Sequence, residues 1–362
     1  QRLRLALLLL TAVAFVASLF GASAIARSVN RPVQQLVAAT RRVQKGDYGG
    51  AVAVDRVDEI GELATAFNHM TQGLAERDQV RDLLGKVVDP AVAEELLSKD
   101  LKLGGEEREV SVLFADIRGF TALSERQHPS DLLDLLNRYL SCMTEVIEGE
   151  GGVIDKYIGD AIMALFGAPL AHGDDAQRAV RAALAMGHEL VRLNRELTAQ
   201  GLPAIATGIG INTGLVVAGN MGSTHRLNYS VIGDGVNLAS RIEGLTRFYG
   251  VPLIISESAA AAAPEFIYRE LDRVRVKGKL EPVRIFEPLE AGILGDGELE
   301  SYHEALAHYR AREWRQADDI LAGLAAAAPA SPLYALYRQR IANFLITPPA
   351  DDWDATVVHS EK

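Results

Sequence analysis

VSVLFADIRGFT, from Val110 to Thr121, and GGVIDKYIGDAIMALFG, from Gly151 to Gly167, decide how this chain is read. In each stretch a hydrophobic run ends on an aspartate, Asp116 in the first and Asp160 in the second. If the two runs are neighbouring strands of one sheet, both carboxylates meet at one edge. There they can hold two divalent cations against a triphosphate. That arrangement suits nucleotidyl or phosphoryl chemistry.

Around these stretches the pattern alternates between strands and helices. A strand at Val110 to Ala115 precedes a helix at Ser130 to Glu148, a hairpin at Val153 to Phe166 and a helix at Asp174 to Ala199. A strand at Ala206 to Gly214, a turn-rich hairpin to Val231, a helix at Gly235 to Phe248 and strands at Leu253, Ile267 and Arg284 follow. Ile158-Gly159-Asp160-Ala161 is a tight hairpin turn, so the sheet is mixed or antiparallel. Gly119, Phe120 and Thr121 leave the first strand and open a helix, where free amides can cradle phosphate oxygens. Leu103 to Arg108, LGGEER, precedes the first strand and is taken as a linker turn.

A chain of 362 residues, 48% hydrophobic, has ample material for a sizeable core and more than one domain. Its net charge of -11 and the lack of a basic-aromatic stripe argue against a nucleic-acid partner. The single cysteine, Cys142, excludes a disulfide framework and is expected in the core.

Leu5 to Ala26 carries no charge and spans about 33 Å as a helix, enough to cross a bilayer. A signal peptide is the competing reading. Arginines flank both ends (Arg2 and Arg4, then Arg27 and Arg31), so the positive-inside rule orients the span only weakly. After it, Pro32 opens a helical stretch, Gly46 to Gly50 breaks it, and a second helix follows. Ile60, Leu63, Phe67, Met70 and Leu74 are spaced three and four apart, a coiled-coil seam. Continuing that heptad puts Arg77 and Arg81 on the seam, so the register should shift or end there.

Residues 27–80 resemble a HAMP domain: the proline after the membrane, the glycine-bearing connector and the Asp58-Glu59-Ile60-Gly61-Glu62-Leu63 signature all stand where that family has them. The resemblance implies a parallel dimer bundle that relays a signal, with a further membrane helix upstream of Gln1. Residues 1–26 are then a transmembrane helix and 81–106 a helical linker.

Residues 107–289 resemble the catalytic domain of class III nucleotide cyclases. The resemblance rests on FADIRGFT (Phe114 to Thr121), DKYIGD (Asp155 to Asp160), RLNYSVIGDGVNLASRIE (Arg226 to Glu243) and VKGK (Val276 to Lys279), in that order. It implies an α+β, ferredoxin-like palm fold with a mainly antiparallel sheet, and conversion of ATP to cyclic AMP and pyrophosphate. By resemblance, Asp116, Asp160 and the carbonyl of Ile117 bind two Mg²⁺ or Mn²⁺ ions. Lys156 and Ser230 recognise adenine, where guanylate cyclases carry glutamate at the lysine position. Serine departs from the aspartate or threonine of known adenylate cyclases, yet it keeps a hydroxyl. Asn237 orients the ribose and Arg241 stabilises charge on the transferring phosphoryl group. The two are four residues apart and share a helix face. Arg226 and Lys277, or Lys279, are candidates for the β- and γ-phosphates, and Asp234 for a helix N-cap. The family builds each site from two subunits, which implies a homodimer at the inner membrane with its catalytic domain in the cytoplasm. The alternatives are a guanylate cyclase and a non-catalytic cyclase-like signalling module. Residues 298–346 form a helical appendage resembling a degenerate tetratricopeptide unit, and 347–362 an extended tail.

Overall fold

The computed structural model describes residues 2–53, 57–87, 104–223, 226–277, 281–290 and 292–359. The chain divides into two units, Gln1–Val88 and Asp89–Lys362.

The first unit opens with helix α1 (Arg2–Ile25), whose leucines and phenylalanines are exposed along its length. The helix is long and apolar enough to cross a membrane. It passes without interruption into α2 (Arg31–Val43) through a π-helical turn at Ala26–Asn30. Pro32 follows that turn in the first turn of α2, where its missing N–H is tolerated. Helix α3 (Glu59–Val87) begins after Asp58, whose Oδ1 accepts from the Gly61 amide at 3.2 Å, an N-cap in function. The connector is clasped to α3 by Asn68, which accepts from Val52 N and donates to Val52 O, each at 2.9 Å.

Within this unit α3 buries Ala64 and Thr71 and packs Phe67 against Leu36, Ala39 and Val52. Of the heptad seam, Phe67 packs against α2 while Leu63 and Met70 stand exposed. Helix α3 also runs unbroken through Arg77 and Arg81 to Val87, where the sequence reading had the seam shift or end.

The second unit is α+β as the motifs imply. Its sheet has the order β2-β3-β1-β4-β6-β8-β7-β9, with β5 paired to the outer half of β4. The strands are β1 (Gly104–Ile117), β2 (Val153–Ile158), β3 (Ala161–Phe166), β4 (Thr207–Ser223), β5 (Arg226–Ile232), β6 (Leu253–Ser256), β7 (Ile267–Val276), β8 (Val283–Leu289) and β9 (Thr356–His359). Among the described residues only the pairs β4–β6 and β7–β9 are parallel. Two helices, α5 (Pro129–Gly149) and α6 (Asp175–Ala199), cover one face of β1, β3 and β4, burying Leu113, Ala115, Tyr139, Phe166 and Cys142 between them. A short helix α4 (Phe120–Ser124) follows β1. Val112, Phe114, Met163 and Val216 form a second core on the opposite face.

Helix α7 (Asp234–Tyr249) lies against β4 so closely that β4 has no room for side chains there. A Cβ on Gly210 would come within 2.3 Å of Glu243 N, and one on Gly208 within 2.2 Å of Thr246 Oγ1. Gly233 takes the N-cap position and Asp234 is the first helical residue, so the acid expected to cap the helix sits one residue inside it. Helix α8 (Glu257–Ala262) follows β6, with Ser256 accepting from the Ala259 amide at 3.2 Å.

Two boundaries differ from the sequence reading. Gly104 to Arg108, taken as a linker turn, is the outer part of β1, paired residue by residue with Val216 to Asn220 of β4. The helical linker expected over residues 81–106 is helix as far as Val87 and strand from Gly104, and between them it lies outside the described residues. Two glycines let the backbones meet there: a Cβ on Gly219 would lie 2.2 Å from Gly104 O. The tail is also part of the sheet, since Thr356 to His359 run parallel to Arg273 to Val276 of β7.

The C-terminal helices α9 (Glu298–Arg310), α10 (Trp314–Ala327) and α11 (Pro332–Ile346) share one core with α7 and the sheet. Tyr302, Tyr309, Tyr334 and Tyr337 pack with Ile242, Tyr249, Leu271 and Val274. Within it, Arg340 Nη1 lies 2.6 Å from Asp272 Oδ2, which also accepts from Tyr249 OH at 2.8 Å. A buried charge pair held this way is destabilising to break. Gly210→Ala should destabilise this unit by about 1–3 kcal/mol, read as a lower thermal unfolding midpoint; an unchanged midpoint would refute the tight seating of α7 on β4.

Candidate active site

Asp116 is the penultimate residue of β1, a strand hydrogen-bonded to β3 on one side and β4 on the other. Ala115 pairs with Ile162, and Asp160 sits two residues earlier in the Gly159-Asp160 turn joining β2 to β3. The neighbour of the first motif is thus the strand after Asp160, with β2 beyond it, and the hairpin turn still delivers the second carboxylate beside the first. The Asp116 carboxyl is pushed up to about 6, first by burial, then by a hydrogen bond to Asp160 and its charge, with the Ile117 amide opposing. The two sequence-predicted aspartates are therefore near enough for Asp160 to act on the Asp116 carboxyl.

Two neighbours of this pair escaped the sequence reading. Glu243, on α7, is pushed up to about 7 by burial and by the charges of Asp116 and Asp160, against the pull of Arg118. Tyr139, on α5, is fully buried with its hydroxyl unpartnered among the described residues. Its pKa is driven far upward by burial and then by Asp116 and Asp160. Glu243 was legible only as the third residue of Arg241-Ile242-Glu243, and Tyr139 only as one aromatic of a helix; neither spacing signals chemistry.

A half-buried carboxylate pair in which Asp160 helps raise the pKa of Asp116, with Glu243 behind it, is relieved by cations. Among the described residues no three His, Cys, Asp or Glu side chains form a ready-made metal cage. Two carboxylates and a main-chain carbonyl fit a site completed by substrate oxygens.

Gly119, at φ 71°, is the N-cap of α4 and makes no side-chain cap. That left-handed turn favours glycine and leaves the first amides of α4, at Phe120 and Thr121, without helical partners. The Arg118 guanidinium is tied to main-chain carbonyls, its Nη2 donating to Val251 O at 2.5 Å and Thr246 O at 3.3 Å.

A second cluster lies on β2 and β5. Lys156 Nζ donates to Ser230 Oγ at 3.0 Å, so the two expected purine-reading residues meet. Ser230 is buried at 5% exposure, and its Oγ donates to Asp155 Oδ2 at 2.9 Å. Lys156 Nζ also lies 3.1 Å from that oxygen. Burial pushes the Asp155 carboxyl upward while Lys156 and Ser230 pull it back. Asp155 was quoted in the sequence motif without a role.

Asn237 is exposed and Arg241 half-buried, on the first two turns of α7. Neither is engaged by the described residues of this chain. Arg226 opens β5, and Lys277 is exposed just beyond β7; Lys279 lies outside the described residues. The carboxylate pair and the Lys156–Ser230 pair are four residues apart on one hairpin, about 13 Å along an extended strand, and no hydrogen bond joins them among the described residues.

The motifs and this geometry coincide with a known domain: the model of the family described as Adenylate and Guanylate cyclase catalytic domain matches residues 105–288. The chain belongs to this family. A HAMP domain model matches residues 24–76, so the first unit carries a HAMP domain. An adenylate cyclase of Anabaena cylindrica is 40% identical over 286 residues, covering 73% of this chain and 55% of the relative. An uncharacterized protein of Mycobacterium tuberculosis is 37% identical over 267 residues, covering 72% and 45%. The chain thus spans about half the length of these relatives. Among solved structures, the adenylyl cyclase CyaB of P. aeruginosa aligns with a TM-score of 0.50 at 36% identity, over 53% of this chain and 100% of that one. A bacterial light-regulated adenylyl cyclase aligns with a TM-score of 0.56 at 25% identity, over 68% and 70%.

In this cyclase domain the raised pKa of Asp116 has a stability consequence. Its folded state binds the proton more tightly than the unfolded chain, so metal-free stability falls as pH rises from about 4 through about 6. Asp116→Asn should therefore stabilise the chelator-treated protein at pH 7 by about 1 kcal/mol after solvent screening, with the gain vanishing below about pH 4. Chemical denaturation at the two pH values measures this, and an equal effect at both would contradict the pairing.

Proposed function

We propose that this chain is a membrane-anchored adenylate cyclase, which converts ATP to 3′,5′-cyclic AMP and pyrophosphate at a site shared by two subunits. The observation that carries the reading is the pair of clusters: neighbouring Asp116 and Asp160 carboxylates, and Lys156 hydrogen-bonded to Ser230. One suits a triphosphate and the other a purine edge.

Asp116, Asp160 and the Ile117 carbonyl would hold two Mg²⁺ or Mn²⁺ ions, which lower the pKa of the ribose 3′-hydroxyl and neutralise the triphosphate. The amides of Phe120 and Thr121, behind Gly119, receive phosphate oxygens. Asn237 orients the ribose so that its 3′-oxygen faces the α-phosphorus in line with the departing pyrophosphate. Arg241 places its guanidinium against the charge that grows on the transferring group, and Arg226 and Lys277 bind the outer phosphates. The new bond is 3′-oxygen to α-phosphorus, the broken one α-phosphorus to the bridging oxygen, and the hydroxyl proton leaves to solvent.

The separation of the two clusters within one chain supports a homodimer in which each site takes its aspartates from one subunit and Lys156, Ser230, Asn237 and Arg241 from its partner. The exposed seam residues Leu63 and Met70 fit a parallel dimer of the HAMP unit. Helix α1 is read as the inner-membrane anchor, with the catalytic unit in the cytoplasm where ATP is found, and the HAMP unit as the relay.

The test is cyclic nucleotide formation by the full chain given ATP or GTP with Mg²⁺ or Mn²⁺. Cyclic AMP from the intact protein, reduced about 10²–10³-fold by Asp160→Ala, is the expected result. Cyclic GMP instead would make it a guanylate cyclase, and no product from a proven dimer would make it a signalling module.

A further inference from the structure

Neighbouring residues of a strand point to opposite faces, yet Asp155 and Lys156 both place their polar ends on the hydroxyl of Ser230. The reason lies in the β2–β3 ladder. Ile154 pairs with Ala164 and Lys156 with Met163, so the register shifts and Asp155 is the extra residue of a bulge. Bulges re-aim side chains and gather beside active sites. The Asp155 side chain is 1% exposed, on an otherwise open strand whose Lys156 side chain is 44% exposed.

We propose that Asp155 is a positioning residue that sets purine choice by fixing the polarity of the Ser230 hydroxyl. The inference rests on the nucleotide reading of the same site. A hydroxyl has one hydrogen to donate and two lone pairs. An ionised carboxylate only accepts, so the Ser230 hydrogen goes to Asp155 Oδ2. Lys156 donates into one lone pair, and the one remaining position on Ser230 Oγ is an acceptor. It matches the 6-amino donor of adenine and repels the 6-oxo acceptor of guanine.

The same carboxylate oxygen lies 3.1 Å from Lys156 Nζ and takes a second ammonium proton. One N–H of Lys156 then remains, a donor that suits the unprotonated N1 of adenine and opposes the N1–H of guanine. A serine unassisted by Asp155 could turn its hydrogen outward and accept either base. Asp155 thereby gives serine the acceptor character that an aspartate at the same place would have had by itself.

The experiment uses the full chain and measures kcat/KM for ATP and for GTP, together with ATP and GTP competition against a fluorescent ATP analogue. The variants are Asp155→Ala, Asp155→Asn, Ser230→Ala and the double variant Asp155→Ala with Ser230→Ala, each checked by thermal unfolding. Asp155→Ala should lower the ATP-to-GTP ratio roughly tenfold. Asp155→Asn should lower it too, because its amide can donate to Ser230 Oγ and turn the hydroxyl hydrogen towards the base. In the Ser230→Ala background the Asp155→Ala change should move the ratio less than twofold, since the two act as one unit. A folded Asp155 variant that keeps the full ratio, or an undiminished effect of Asp155→Ala without Ser230, overturns the inference. A protein that binds ATP selectively but forms no cyclic product refutes the cyclase reading, and the binding ratios then decide the role of Asp155 alone. An intact chain with no preference for ATP overturns both.

Discussion

Everything at the candidate site depends on β1 being paired along its whole length on one side and along its inner half on the other. All 14 of its residues are in register with β4, and five of them also with β3. A slip of one residue would turn Asp116 to the opposite face and force Leu113 and Ala115 into the core now filled by Val112 and Phe114. The same register fixes β3, and through the two-residue turn before it Asp160, so the strand pairing that builds the core also forces two carboxylates together. The repulsion that results is of a kind that bound cations relieve. Stability and function pull against each other at this point.

Helix α7 is the second determinant. It carries Asn237 and Arg241 on its first turns, Glu243 beside the aspartates and Tyr249 in the C-terminal core. Its position is set by what β4 lacks, side chains at positions 208 and 210. Behind it, Asp272, Arg340 and Tyr249 form a buried polar knot, with the Arg340 guanidinium over the rings of Tyr249 and Tyr337. The C-terminal helices are therefore a continuation of the core on which α7 rests.

Much of this was legible because the informative motifs are local. An aspartate ending a strand, a Gly-Asp turn and an asparagine and arginine four apart on a helix each carry their geometry in a few residues. The heptad of α3 was equally visible, since helical periodicity needs no partner to be recognised. What escaped was non-local. Gly104 and Gly105 are strand residues only because Gly219 lies opposite, and the 356–359 strand exists only because β7 offers an edge. Asp155 was hidden differently: a bulge breaks the alternation by which side chains are assigned to faces, and no composition rule announces one. Glu243 and Tyr139 acquire their electrostatic setting from elements more than a hundred residues apart in the case of Glu243 and the aspartate of β1.

The parallel pairing of β9 with β7 also bears on how the molecule comes into being. Strand β7 is complete by Val276, but the partner for its outer edge is residues 356–359. During synthesis the sheet thus waits with an open edge while the three C-terminal helices emerge. An unpaired edge is a template for pairing with another chain. The part of the edge that β9 covers carries Arg273 and Arg275, charges that discourage such pairing while it stays open. With β9 in place the Arg273–Val276 part of that edge is closed, so a strand that follows the three C-terminal helices in the chain acts as a latch of assembly.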